Sequence, residues 1–137
     1  MATIRKEILV RASPESVWSA VRDVGEVHRR LCPGVLVDCR IDGDARVVTF
    51  ANGLVARELI VAVDDEAKRF CWAAVGGRLS HHNASMQVFP DGSEGTRLVW
   101  IADLLPDEME PAIRALMEMG SAAAQKTLES SDRRATA

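Results

Sequence analysis

The sequence predicts an α+β domain: an antiparallel meander with one face covered by a long C-terminal helix. Three observations carry this. Between Val35 and Leu104, apolar residues recur with period two in six segments separated by short turns. Only the stretch from Pro106 to about Leu128 combines helical spacing with enough length to cover a sheet. The 137 residues, 47% hydrophobic and 27% charged, suit one ordinary domain with its own core, spanning residues 1–137.

The elements follow in order. Thr3 to Arg11 alternates, with Ile4, Ile8 and Val10 apolar, and reads as a strand. Ser13 is a helix N-cap and Pro14 fits the first helical position. Val17, Trp18 and Val21 then form an apolar face. Asp23-Val24-Gly25-Glu26 breaks that helix, and a second short one runs to about Leu31 before Cys32-Pro33-Gly34 stops it. Six strands follow: Val35 to Ile41, Arg46 to Ala51, Leu54 to Val63, Arg69 to Val75, Ser80 to Phe89 and Thr96 to Leu104. The punctuation between them is Asp42-Gly43-Asp44, Asn52-Gly53, Asp64-Asp65-Glu66, Gly76-Gly77 and Pro90-Asp91-Gly92. The long helix opens on Pro106-Asp107-Glu108, an acidic first turn that the helix dipole favours. Residues 129–137 are small and polar and are expected to fray.

Alternation also assigns faces. In Ser80 to Phe89, the set His82, Ala84, Met86 and Val88 belongs inside, while His81, Asn83, Ser85 and Gln87 belong in water. On the last strand, solvated Arg97 and Asp103 put Trp100 inside. The pattern leaves Leu54 to Val63 undecided; if Ala56, Glu58, Ile60 and Ala62 face inward, Glu58 enters the interior. Arg69 to Ala74 is ambiguous. The long helix carries Met109, Ile113, Leu116, Met117, Gly120, Ala123, Ala124 and Leu128 at helical spacing. The small run from Gly120 to Ala124 either lets the helix touch the sheet or leaves room for something else.

Composition excludes several functions. A net charge of −3 provides no basic field for nucleic acid. No apolar run approaches the ~20 residues of a membrane span. The first residues are charged by Arg5 and carry no export signal, so a cytoplasmic protein is expected. Cys32, Cys39 and Cys71 are scattered with no C-x-x-C pair, so structural zinc is not expected; they read as reduced apolar residues, with a nucleophilic cysteine as the alternative, and no metal or cofactor is expected. Asp38, Asp42 and Asp44 lack calcium-loop spacing. His28, between arginines, reads as a solvated histidine.

The phosphate-loop, dinucleotide, nucleophile-elbow and zinc-protease motifs are all missing. Glu58 with His82 is the one constellation that chemistry can use. In an apolar cavity, a carboxylate and an imidazole can act as a base and acid pair, anchor the polar end of an apolar ligand, or satisfy each other structurally.

The order β-α-α-β6-α, with Ser13-Pro14-Glu15-Ser16-Val17-Trp18 after the first strand, resembles the START-like helix-grip superfamily over about residues 3 to 128. This group, also called SRPBCC, includes the polyketide cyclase/dehydrase and lipid-transport family. The resemblance implies a curved sheet wrapped around the C-terminal helix with a cavity between them. A closer likeness is to plant abscisic acid receptors. Arg57-Glu58-Leu59 with Val63-Asp64-Asp65-Glu66 is similar to their pocket-glutamate strand and turn, Val75-Gly76-Gly77-Arg78-Leu79 to their latch, and Asn52-Gly53-Leu54 to their gate. The gate here lacks the plant proline, and no basic residue clearly matches the pocket lysine. By position, the likeness implies a pocket lined by Ala56, Glu58, Trp72, Ala74, Arg78, Leu79, His82, Ala84 and Trp100, faced from the helix by Leu116, Gly120 and Ala124. The expected function is to bind a small hydrophobic molecule with one polar end. The alternative is a polyketide cyclase or dehydratase-like enzyme using Glu58 and His82; a third reading is a filled cavity and an interaction module. The outward residues Leu59, Val61, Val63, Val99 and Ile101 further suggest an apolar stripe and a weak homodimer.

Overall fold

The computed structural model describes residues 2–136. Strands β1 (Ala2–Val10), β2 (Leu36–Asp42), β3 (Ala45–Phe50), β4 (Val55–Asp64), β5 (Arg69–Val75), β6 (His81–Asp91) and β7 (Gly95–Leu105) form one sheet in the order β1-β7-β6-β5-β4-β3-β2. Every neighbouring pair is antiparallel. Between β1 and β2 lie helix α1 (Pro14–Arg22), a 3₁₀ turn and the short α2 (Val27–Arg30). Helix α3 (Glu110–Thr136) follows a second 3₁₀ turn and lies in the grip of the curved sheet.

Local chemistry sets the corners. Ser13 caps α1 through its hydroxyl, which accepts from the Ser16 amide at 3.1 Å, and Pro14 begins the helix. Trp18 of α1 donates from its indole nitrogen to Asp65 at 2.9 Å, and Arg22 donates to the same carboxylate at 2.7 Å. These bonds fasten α1 to the β4–β5 turn. Thr96, fully buried, donates to the Ala12 carbonyl at 2.7 Å and ties the β1–α1 corner to β7.

The core lies between the concave face and the helices. Ile4, Ile8, Leu98, Leu104, Met117, Ala124 and Leu128 are all buried. Parity is as read for β6 and β7: His82, Ala84, Met86 and Val88 turn inward, as does Trp100. On β5 the inward set is Phe70, Trp72 and Ala74. On β4, Ala56, Glu58 and Ile60 turn inward, but a register shift between Ile60 and Ala62 breaks the alternation and leaves Ala62 exposed.

Three expectations need correction. The long helix does not stop near Leu128 but continues to Thr136. The segment after Leu128 has no glycine or proline to end it, and Glu129 accepts a hydrogen bond from the Arg11 amide at 2.9 Å. Ala137 lies outside the described residues. The predicted outer stripe is interrupted, because Val99 is only 5% exposed between its cross-strand partners Glu7 and Gln87. Leu59, Val61 and Val63 do stand exposed, while Ile101 is half-buried. His28 is not fully solvated: α2 packs against α1, β2 and α3, and the His28 Nδ1 is buried without a partner among the described residues.

Candidate functional site

Polar ties join α3 to β1 and the residue after it: Lys6 to Glu118 at 3.1 Å, Gln125 to the Leu9 carbonyl at 2.8 Å, and Glu129 to the Arg11 amide. On the other side, the N-terminal half of α3 stands off from β3 to β6, and a cavity of about 280 Å³ opens there. That is close to the lower bound of small-molecule sites, about 300 Å³. Met109, Ile113, Leu116, Met117 and Gly120 line it from α3; Val21, Val27, Leu31 and Cys32 close it from the α1–α2 side. Its exposed lining residues include Leu54 and Val55 before and at the start of β4 and Gly76, Gly77 and Arg78 after β5, so the segments compared with a gate and a latch border its solvent-facing part. Gly76 and Gly77 take φ of +82° and +68°, a left-handed bend that glycine tolerates best.

The wall is aromatic. Phe70 and Trp72 stack at 5.0 Å, and the Trp72 and Trp100 rings lie 6.2 Å apart at 46°. A Cβ added at Gly120 would lie 3.0 Å from the Trp100 ring, so the absent side chain is what lets Trp100 lean on α3. Both readings of the small helical residues therefore hold in part: at Gly120 the helix touches the sheet, and beside that contact the cavity stays open.

Across the wall runs a row of polar groups set by strand register. Arg46 on β3 pairs with Glu58 on β4, Glu58 with Ala74 on β5, and the Ala74 amide donates to His82 Nδ1 on β6 at 2.9 Å. The backbone ladder between β5 and β6 runs from Arg69–Gln87 to Trp72–Ala84. Two residues further on, the His82 imidazole takes the Ala74 amide in place of a further ladder partner. With Nδ1 accepting, the neutral ring carries its proton on Nε2 and offers it as a donor. Burial pushes the His82 imidazole below its ordinary value, and nearby Glu58 only partly opposes this.

Glu58 and His82 both line the cavity, but they are not hydrogen-bonded to each other. Glu58 is held by Arg46, whose Nε donates to it at 2.8 Å while Nη1 donates to the Val24 carbonyl at 3.0 Å. The two side chains are 6% and 13% exposed, and the guanidinium lies over the Phe70 and Trp72 rings at 5.0 and 5.7 Å. The carboxylate is therefore one half of a buried ion pair, not the lone buried acid that an acid–base pair with His82 requires.

Ala56, Trp72, Ala74, Arg78, Leu79, Trp100, Leu116 and Gly120 also line the cavity. Ala84 and Ala124 do not. Both are buried in the core: the single carbon of Ala84 sits beside its much larger register partner Trp72, and Ala124 lies further along α3 where the helix is close-packed. Sequence reasoning missed Arg46. It shares parity with inward Val48 and Phe50, a signal that the usual solvation of arginine hides. Burial drives the Cys32 thiol up to about 12, so it is no nucleophile at neutral pH. The Trp100 indole nitrogen is buried without an acceptor among the described residues.

A family model described as polyketide cyclase/dehydrase and lipid transport matches residues 1–135. No curated protein matches the chain. Among solved structures, the fold is similar to the protein XoxI from Bacillus cereus, at a TM-score of 0.82 and 19% identity, covering 100% of this chain and 99% of that one. It is also similar to a START superfamily protein from Mycobacterium smegmatis, at a TM-score of 0.72 and 17% identity, covering 96% of this chain and 97% of the other. Norcoclaurine synthase from Thalictrum flavum is similar at a TM-score of 0.71 and 21% identity, over 91% of this chain and 84% of that chain. Among the described residues, no helix is long and apolar enough to cross a membrane.

Proposed function

Because the chain belongs to the polyketide cyclase/dehydrase and lipid transport family, we propose that it binds a small, mostly apolar molecule in the cavity between the sheet and α3. One observation carries this reading: an aromatic and aliphatic chamber of about 280 Å³ that opens at a glycine lip and has polar groups converging on one wall. The same polar groups favour binding over acid–base turnover. A general base must be free to take a proton from its substrate. Here one oxygen of Glu58 accepts from Arg46, which commits the carboxylate to a counter-ion, and the Nδ1 lone pair of His82 is occupied by the Ala74 amide. What remains on offer is hydrogen bonding, a donor on His82 Nε2 and the second carboxylate oxygen of Glu58.

The test is native mass spectrometry of gently purified protein, followed by NMR titration with apolar probes. A co-purified small molecule, or probe-induced shifts confined to the cavity wall, supports the reading. Protein that is empty as purified and insensitive to every probe overturns it. Turnover of a cyclisable substrate that disappears in Glu58→Gln while binding persists would replace it with the enzymatic alternative.

A further inference from the structure

The charges inside the cavity constrain what its polar end can accept. Among the described residues, the cations lining it are Arg46 and Arg78. Arg46 is already matched by Glu58, donates from Nη1 to the Val24 carbonyl, and lies over two aromatic rings, so its charge is compensated before any ligand arrives. Arg78 is exposed on the outer lip, away from the buried row. His82 is neutral in the tautomer the Ala74 amide selects. The interior therefore sums to zero charge and is surrounded by low-dielectric side chains. A carboxylate brought to the row would meet the Glu58 anion with Arg46 already paired to it, and an ammonium brought to the free oxygen of Glu58 would meet the Arg46 cation beside it, so neither ion finds a net opposite charge. Either ion would be desolvated without return. An uncharged oxygen fits: as an acceptor it takes the His82 Nε2 proton, and as a hydroxyl it donates to the free oxygen of Glu58.

We propose that the ligand carries an uncharged hydroxyl or carbonyl at its polar end, and that the Arg46–Glu58 pair makes the cavity discriminate against the carboxylate and ammonium analogues of the same skeleton. This rests on the cavity being a ligand site, and the experiment separates the two ideas.

Octanol, octanoate and octylammonium, and in parallel naphthol, naphthoate and naphthylmethylammonium, are titrated at neutral pH into the whole protein, with the Ala74 amide as an NMR reporter. In each set the neutral member binds at least about tenfold more tightly than either ion, a difference of about 1.4 kcal/mol. Glu58→Gln leaves the Arg46 cation unmatched, so octanoate should gain about tenfold relative to octanol. The double variant Arg46→Gln with Glu58→Gln restores neutrality and should remove that gain, which a purely structural role for the pair would not produce. If octanoate or octylammonium matches octanol in the wild type, whether held at Arg78 or within, this inference fails and the ligand reading stands. If no probe of either set binds and the protein is empty as purified, the ligand reading fails and takes this inference with it; if a molecule co-purifies instead, a charged polar end on it overturns the inference and an uncharged one supports it. If Glu58→Gln does not fold, the wild-type comparison still decides.

Discussion

Replacing the Arg46–Glu58 pair, singly and together, tests the reading of the cavity wall most directly. The 2.8 Å contact joins side chains 6% and 13% exposed, so neither partner can turn to bulk water when the other is removed. Orphaning one member of such a pair typically costs about 3–5 kcal/mol. The two orphans differ. After Glu58→Met, the guanidinium still has the Val24 carbonyl and two rings, worth about 0.5–2 kcal/mol, so we expect a loss of about 2–3 kcal/mol. After Arg46→Met, the carboxylate keeps no donor among the described residues and the Val24 carbonyl also loses one, so we expect the full cost, about 3–5 kcal/mol. The double variant removes both charges and leaves only the lost Val24 donor, so it should fall within about 2 kcal/mol of wild type. The coupling is then about 3 kcal/mol or more, far outside additivity. Urea denaturation of the four proteins, analysed by linear extrapolation, measures it. Losses that simply add in the double variant, or single variants each within about 1 kcal/mol of wild type, would refute a dry ion pair and the neutral-cavity argument built on it.

Other outcomes follow from single contacts. Gly120→Leu drives carbon into a ring already 3.0 Å from the added Cβ, and it should displace Trp100 into the cavity and weaken probe binding about tenfold or more by calorimetry. Because burial lowers the His82 pKa below its ordinary 6.5, the unfolded chain takes up that proton first. Stability supplied by this group is thus complete above 6.5 and is lost as pH falls from there to the folded value; His82→Asn, which keeps an acceptor for the Ala74 amide, should remove that slope in pH-dependent urea titrations. Thr96→Val keeps the shape but orphans the buried Ala12 carbonyl, and a loss of about 1–3 kcal/mol is expected in the same denaturation assay.

Strand parity was legible in the residues because alternation is local. A chain of His82, Ala84, Met86 and Val88 has only one way to satisfy its apolar side, and the same holds for the Ser13-Pro14 start of α1. Element order, the antiparallel meander and the single long helix were likewise written in turn residues and period. The sequence by itself also placed Glu58 and His82 among the candidates, although for β4 the parity alone was undecided and the family likeness chose the face.

Tertiary structure decided the rest, for reasons no local pattern contains. Arg46 is tolerable inside only because register sets it opposite Glu58, and that register is a property of two strands together. Whether Glu58 would pair with His82 or with something else depended on the same neighbour. The tautomer of His82 depends on an amide left free where the β5–β6 ladder ends. The cavity lies where α3, tied to β1 along one side, touches the sheet at the Trp100–Gly120 contact and leaves space beside it, with Ala124 in the core and Gly120 at the cavity edge. Helical spacing puts both small residues on the same face, but only the angle at which the helix meets the sheet decides which of them borders open space.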